Sequence, residues 1–106
     1  MVNQDILNIL KEYIRKLISS GLKLSKVILY GSQARGDYNN ESDIDVILVS
    51  PFFDKNRDQY IPKIWLLAAD IDYRIEPYVI GEKRFNEDTI SPIIQIAKRD
   101  GIEIEF

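Results

Sequence analysis

Histidine and cysteine are both absent from this chain of 106 residues. Without cysteine there can be no disulfide framework, no thiol nucleophile and no cysteine zinc site. Without histidine the chain lacks the commonest general base and the commonest transition-metal ligand, and it cannot build a catalytic triad on imidazole. Any chemistry must therefore use carboxylates, hydroxyls, amines or a bound metal ion.

The chain also lacks a long apolar run and an excess of positive charge. No segment approaches the roughly 20 apolar residues that span a bilayer, and the N-terminus has neither the basic start nor the apolar core of a secretory signal. These features predict a cytoplasmic protein that does not bind membranes. Because the net charge is −3, we expect no direct binding to nucleic acid, which usually requires a basic face.

The hydrophobic content and the apolar periodicity of the chain predict one small domain. Hydrophobic residues make up 45% of the sequence, which is enough for one packed core and too little for two ordinary domains, so we expect a single domain over residues 1–106. The apolar periodicity predicts the order helix, strand, helical turn, strand, helix, strand, helix, strand. The fold class is therefore α/β (α+β), with helices packed on a small mixed sheet of about four strands.

The bounds of these segments follow from apolar spacing and from breaker residues. The predicted segments are a helix in the first twenty residues ended by Gly21, a strand over 27–30, a helical turn over 33–35, a strand over 43–49, a helix over 60–69, a strand over 71–80, a helix from Ser91-Pro92 to Asp100-Gly101, and a strand over 102–106. The charges at Lys55, Arg57 and Asp58 are assigned to a solvated loop. Pro77 cannot donate to a ladder, so it is expected at an edge or a bulge.

Asp43 and Asp45 are two residues apart on a predicted strand. Their side chains should therefore emerge on the same face, roughly 7 Å apart at Cα. Two carboxylates this close repel each other and need a cation, an arginine or a shared proton. Oxygen ligation without histidine points to Mg²⁺, with Mn²⁺ also possible. The structural alternative is a solvated strand end.

Gly31 and Ser32 follow directly after the apolar strand over 27–30. Glycine lets the backbone approach a phosphate closely, the turn directs N–H groups outward, and the serine hydroxyl adds a donor. A Gly-Ser turn alone is a weak signal, since most are only turns. Together with an acidic pair at the adjoining end of a neighbouring strand, it predicts a site where a triphosphate and a metal ion meet.

The sequence here resembles a known family. The stretch Leu29-Tyr30-Gly31-Ser32-Gln33-Ala34-Arg35-Gly36, then Ser42-Asp43-Ile44-Asp45-Val46, is similar to the signature of the polymerase-β-type nucleotidyltransferase superfamily: Gly-Ser, ten residues, then Asp-x-Asp. The resemblance is to its minimal members, short prokaryotic proteins often paired with a HEPN-domain ribonuclease in toxin–antitoxin modules. It covers almost the whole chain and implies the nucleotidyltransferase fold, ATP as substrate and two bound Mg²⁺ ions.

In that family a third acid on a later strand completes the metal site. Asp72 and Glu76 both compete for this place, and they share one predicted strand face, so alternation cannot separate them. Matching the stretch 76–85 to the family favours Glu76 and holds Asp72 as the alternative third ligand. Asp72 would otherwise pair with Arg74 or lie near the strand entrance.

The resemblance also implies a role for each residue. Asp43 and Asp45 would bridge two metal ions, while Glu76 would hold one and help to activate the attacking hydroxyl. Ser32 and the backbone around it, including Gly31, would hold the β- and γ-phosphates. Among nearby cations Arg35 is the best candidate for a phosphate contact, with a solvated surface position as its alternative.

The expected activity is transfer of AMP from ATP to a hydroxyl of a partner protein, because larger relatives recognise antibiotics or RNA with an added domain and 106 residues leave no room for one. The resemblance suggests a tyrosine of a HEPN-domain toxin as acceptor, which makes this chain the antitoxin in a complex with its partner. Two alternatives stay open. One is a non-catalytic module that masks its partner, and the other is nucleotidyl transfer to a small molecule or RNA.

Overall fold

The computed structural model describes residues 2–39 and 41–106. Its elements are α1 (Gln4–Ser19), β1 (Lys26–Tyr30), α2 (Ser32–Arg35), β2 (Ile44–Ser50), α3 (Phe53–Ile71), β3 (Ile75–Gly81), α4 (Glu82–Glu87), α5 (Pro92–Asp100) and β4 (Ile102–Glu103). The strands form one mixed sheet in the order β3-β2-β1-β4. β1 is antiparallel to β2 and β4, whereas β2 and β3 run parallel. The predicted fold class, a small mixed sheet of four strands with packed helices, is confirmed.

α1 forms where apolar residues recur at spacings of three and four. Its buried face consists of Ile6, Leu10, Tyr13, Ile14 and Leu17. The Asn3 side chain caps the helix by accepting a hydrogen bond of 2.7 Å from the Asp5 N–H, and Gly21 follows its end with a φ of 101°. The Tyr13 hydroxyl donates to the Ile64 carbonyl at 2.8 Å, which ties α1 to α3.

Alternation along β2 divides the core between the two faces of the sheet. Ile44, Val46 and Leu48 belong to the larger cluster, which also contains the buried side chains of α1 and α3. Ile47 and Val49 belong to a smaller cluster with buried residues of α4 and α5. The predicted alternation of β2 is therefore confirmed, and Asp45, the acidic residue of this strand, belongs to the face with the smaller cluster.

α3 begins earlier than its apolar period indicates. The prediction of a solvated loop at Lys55, Arg57 and Asp58 is wrong, because all three lie within α3. They are exposed, but Arg57 Nε donates to the Val79 carbonyl at 2.8 Å and so anchors the first turns to β3. The backbone is non-helical at Asn56, where two helical pieces join across a kink. Charged residues around a kink carry no apolar period that would reveal a helix.

β3 is shorter than the predicted strand over 71–80. Ile71 ends α3, Asp72 is the C-cap of that helix, and the strand begins only at Ile75. The prediction that Pro77 lies at an edge is confirmed, since β3 is an edge strand of the sheet. An edge strand tolerates a residue that has no backbone N–H to donate.

Two further segments differ from the prediction. α4 (Glu82–Glu87) has six residues, which is too short for a recognisable helical period. Its first turn is stabilised by a residue of α3. The Asp54 carboxylate accepts hydrogen bonds from the backbone N–H groups of Lys83, at 3.1 Å, and Arg84, at 3.4 Å. The closing strand, expected over 102–106, is limited to Ile102–Glu103.

α5 begins where the sequence predicts, with Ser91 as the N-cap and Pro92 as its first residue. It buries Ile94 and Ala97 against the smaller cluster and has basic residues in its last turn. Within residues 2–39 and 41–106, no helix combines the length and the apolar character that crossing a membrane requires.

Candidate functional site

The acidic residues singled out from the sequence meet at one end of the sheet. Tyr30, the last residue of β1, lies opposite Asp45 in the antiparallel ladder, and Asp45 lies beside Glu76 in the parallel pair of β2 and β3. Asp43 precedes β2 by one residue. Carboxylate oxygens of Asp43, Asp45 and Glu76 lie within 4.8 Å of one another. These three residues are called the acidic cluster below.

The turn that follows β1 lies against this cluster. Gly31 is the N-cap of α2, with φ 76° and ψ −156°, a backbone region that is essentially restricted to glycine. A Cβ atom built on Gly31 would lie 2.5 Å from Oδ2 of Asp45. Ser32 is the first residue of α2, and the N–H groups of Ala34 and Arg35 close the turn by donating to the Gly31 carbonyl at 3.1 Å each.

Gln33, which sequence reasoning did not single out, is the buried polar residue of this region. Its side chain is 1% exposed, its Nε2 donates to the Ser42 carbonyl at 3.4 Å, and its Oε1 has no hydrogen-bond partner among the described residues. Gln33 therefore connects α2 to the residue that precedes Asp43. A lone glutamine in a polar stretch carries no pattern that distinguishes a buried side chain from an exposed one.

The members of the acidic cluster affect one another electrostatically. Burial raises the pKa of Asp45, and the charge of Asp43 raises it further while Arg35 lowers it. Burial also raises the pKa of Glu76, with additional contributions from the charges of Asp43 and Asp45 and a hydrogen bond with Asp43. The pKa of the adjacent Tyr30 is raised to about 12, by burial first and then by Asp45 and Glu76. A bound cation would relieve this repulsion.

The donor chemistry of the cluster fits a hard divalent cation. Three carboxylates offer oxygen ligands only, which suits Mg²⁺ or Mn²⁺ better than zinc. The chain has no histidine or cysteine that could add a nitrogen or sulfur ligand. Asp43, Asp45 and Glu76 could therefore hold such an ion beside the turn at Gly31.

Asp72, the alternative third acid, is engaged elsewhere. Its Oδ1 accepts hydrogen bonds from the Arg74 backbone N–H at 2.9 Å and from Arg74 Nε at 3.1 Å, and its Oδ2 accepts one from the other side of the guanidinium at 3.0 Å. The hydrogen bond from the Arg74 side chain holds the pKa of Asp72 below its usual range. In the part of the chain that the structure describes, Asp72 is not a member of the acidic cluster.

Arg35, the candidate phosphate ligand, lies at the rim of the site. Its side chain is 56% exposed, and its Nε lies 3.2 Å from Oδ2 of Asp37. Its charge reaches Asp45, where it opposes the rise in pKa that burial causes. The structure therefore puts Arg35 within electrostatic range of the acidic cluster and gives it an acidic partner at the surface.

Comparisons with known proteins identify the family of this chain. Residues 7–103 match the family described as "Nucleotidyltransferase domain". Three proteins of Methanocaldococcus jannaschii, each named a "Putative protein adenylyltransferase", are similar to this chain. One is 37% identical over 79 residues, covering 74% of this chain and 76% of the relative, and another is 31% identical over 99 residues, covering 81% and 93%. The third is 53% identical over 47 residues, covering 42% of this chain and 46% of the relative.

A solved structure shares the fold. The crystal structure of a "putative nucleotidyltransferase" from Sulfolobus solfataricus aligns with a TM-score of 0.63. The alignment covers 93% of this chain and 78% of the other, at 23% sequence identity. The helices and the mixed sheet described above are therefore arranged as in that protein.

Proposed function

We propose that this chain, which belongs to the nucleotidyltransferase domain family, transfers the adenylyl group of ATP to a hydroxyl group of a partner protein. Family membership identifies it as a nucleotidyltransferase, whereas the nucleotide, the metal and the acceptor are parts of the proposal. The observation that carries the proposal is the approach of the Asp43, Asp45 and Glu76 carboxylates to within 4.8 Å of one another. The glycine turn packed against Asp45 supports it.

In this proposal the turn at Gly31 binds the phosphates of ATP and the acidic cluster binds the metal ion. The backbone N–H groups around Gly31 and the hydroxyl of Ser32 hold the β- and γ-phosphates of ATP, because a glycine turn allows close approach and directs donors outward. Asp43, Asp45 and Glu76 would hold Mg²⁺. When bound, such an ion neutralises charge on the triphosphate and on the departing pyrophosphate.

The reaction is a displacement at the α-phosphorus. The acceptor hydroxyl oxygen forms a bond to this atom, the bond to the oxygen that bridges the α- and β-phosphates breaks, and pyrophosphate leaves. Glu76 is an exposed member of the acidic cluster. Its carboxylate is therefore open to an incoming acceptor, and it takes the proton that the hydroxyl oxygen releases.

A protein acceptor is supported by the relatives, which are named as protein adenylyltransferases. The net charge of −3 does not favour RNA as the acceptor, because nucleic acid is usually bound by a basic surface. The resemblance to minimal nucleotidyltransferases extends the proposal: the acceptor is a tyrosine of a HEPN-domain toxin, and modification by this chain, the antitoxin, inactivates that toxin.

The test uses purified protein, ATP labelled in its α-phosphate, Mg²⁺ and a HEPN-domain protein encoded next to this chain. We expect label on a tyrosine of that protein, located by mass spectrometry, and no label after addition of a chelator. Stable complex formation without label would replace catalysis with masking of the toxin. Label on RNA or on a small molecule, with none on protein, would overturn the protein acceptor.

A further inference from the structure

Asp43, the first residue of the acidic cluster, lies outside the hydrogen-bonded ladder of the sheet. β2 begins at Ile44, and its pairing with β1 ends where Asp45 lies opposite Tyr30. The antiparallel ladder therefore does not fix the position of Asp43. The residue that follows Asp43 is held by a hydrogen bond from outside this ladder: the Ile44 N–H donates to the Arg74 carbonyl at 2.8 Å.

Arg74 is itself held by Asp72, two residues earlier in the turn between α3 and β3. Three hydrogen bonds of 2.9 to 3.1 Å join the backbone and guanidinium of Arg74 to the Asp72 carboxylate. The side chains of Arg74 and Asp72 are only 19% and 16% exposed, whereas those of the surface pair Arg99 and Asp100 are 72% and 47% exposed. The Asp72–Arg74 pair is therefore largely shielded from solvent, which screens its attraction less than that of an exposed pair.

This pair lies where the two strands of the acidic cluster begin. The Ile75 N–H donates to the Asp72 carbonyl at 3.1 Å, and Ile75 is the partner of Ile44 in the parallel register. The next register position joins Asp45 and Glu76. A shift of the turn would therefore move the entry of β2 relative to the entry of β3, and with it the distances among the carboxylates.

We infer that the Asp72–Arg74 pair is a positioning element for the acidic cluster. Asp72 acts through Arg74, whose carbonyl holds the backbone N–H between Asp43 and Asp45. The inference rests on the proposed role of the cluster in binding a divalent cation. It gives Asp72 a function in the site without making it a ligand.

The first readout is binding of Mn²⁺ in the absence of nucleotide, followed by electron paramagnetic resonance. Loss of contacts that orient metal ligands typically weakens metal binding by about 10- to 100-fold. We expect Asp72→Asn and Arg74→Gln each to weaken Mn²⁺ binding by about 10-fold. The double variant should weaken binding by less than the product of the two single effects, because both changes remove the ion pair between these side chains. Asp100→Asn, which breaks the exposed pair, is the matched control and should leave binding unchanged.

The second readout is amide hydrogen exchange in the metal-free protein. Exchange of the Ile44 amide should accelerate relative to that of Leu48, in the middle of β2, in both single variants. A purely structural role would accelerate both amides together through global unfolding. Asp100→Asn should leave their ratio as in the wild type.

Three outcomes would overturn the inference. Loss of Mn²⁺ binding in Asp72→Asn with full binding in Arg74→Gln would make Asp72 itself a ligand. Unchanged Mn²⁺ affinity and unchanged Ile44 exchange in both variants would deprive the pair of any positioning role. Failure of the wild type to bind Mn²⁺ would remove the proposed metal site together with the inference. If the wild type binds Mn²⁺ and the variants bind it equally well, only the inference is lost and the proposed function stands.

Discussion

The backbone of Gly31 packs directly against the carboxylate of Asp45. A Cβ atom at position 31 would lie 2.5 Å from Oδ2 of that carboxylate, closer than any real Cβ contact. The turn proposed to bind phosphate therefore touches an acid proposed to bind the cation. A side chain at position 31 would therefore displace the Asp45 carboxylate.

Replacement of Gly31 by alanine should damage both stability and catalysis. The backbone strain at φ 76° costs about 1–3 kcal/mol, and displacement of Asp45 should lower transfer by about 100-fold, the order expected when a reacting geometry shifts by 1 Å. Gly21→Ala is the matched control, since Gly21 has a φ of 101° and open space around its missing Cβ. It should lose stability in urea denaturation and keep full activity. Equal activities of the two variants would contradict the contact with Asp45.

Asp45→Asn should abolish transfer and leave the fold intact. The substitution removes a carboxylate of the cluster, and with it more than about 100-fold of metal-dependent activity. It also removes repulsion between acids, because burial and the charge of Asp43 already raise the pKa of Asp45. Thermal unfolding and a transfer assay test both effects, with Asp58→Asn, an exposed acid of α3, as the control. Near-normal transfer by Asp45→Asn would contradict the metal site.

Tyr13→Phe should affect stability alone. The Tyr13 side chain is fully buried, and its hydroxyl donates to the Ile64 carbonyl at 2.8 Å. Loss of this hydrogen bond should lower the free energy of unfolding by about 1 kcal/mol, measured by urea denaturation, without a change in transfer. An unchanged stability would mean that the bond between α1 and α3 contributes nothing.

Asp88 should make stability depend on acid pH. Hydrogen bonds from the Ser91 hydroxyl and backbone, then from Ile90 and Gln95, lower the pKa of Asp88 to about 2. Because the pKa is lowered in the folded state, the ionised carboxylate stabilises the fold at pH values above the unfolded pKa of about 3.9. This stabilisation is lost as the pH falls through about 2. Wild type should therefore exceed Asp88→Asn in stability at pH 6, and the difference should shrink between pH 4 and pH 2. A difference independent of pH would contradict the role of the charge.

Strict patterns in the sequence predicted the parts of the fold that depend on them. The alternation of Ile44, Val46 and Leu48 determined the faces of β2, and the spacing of Asp43 and Asp45 put both acids on one side. The first turns of α3 and all of α4 were missed, because tertiary contacts from Arg57 and Asp54 hold them. Such contacts leave no periodic trace in a single sequence.

The candidate site was predicted only in part, because some of its features depend on tertiary contacts. Alternation could not separate Asp72 from Glu76 while both were assigned to one strand, and only the resemblance favoured Glu76. The late start of β3 at Ile75 separates them, because it leaves Asp72 as a helix cap. The burial of Gln33 and the contact between Gly31 and Asp45 depend on the close approach of segments distant in sequence. The metal-binding roles of Asp43, Asp45 and Glu76 stay predictions, as do the phosphate-binding roles of Gly31, Ser32 and Arg35.

The most direct test of nucleotidyl transfer compares ATP labelled in its α-phosphate with ATP labelled in its γ-phosphate, each incubated with this chain, Mg²⁺ and a HEPN-domain protein as the proposed partner. Attack at the α-phosphorus predicts that only the α-label becomes attached to the partner, while the γ-label is released in pyrophosphate. Transfer of the γ-label to the partner, or conversion of ATP to ADP with no attached α-label, would contradict the account.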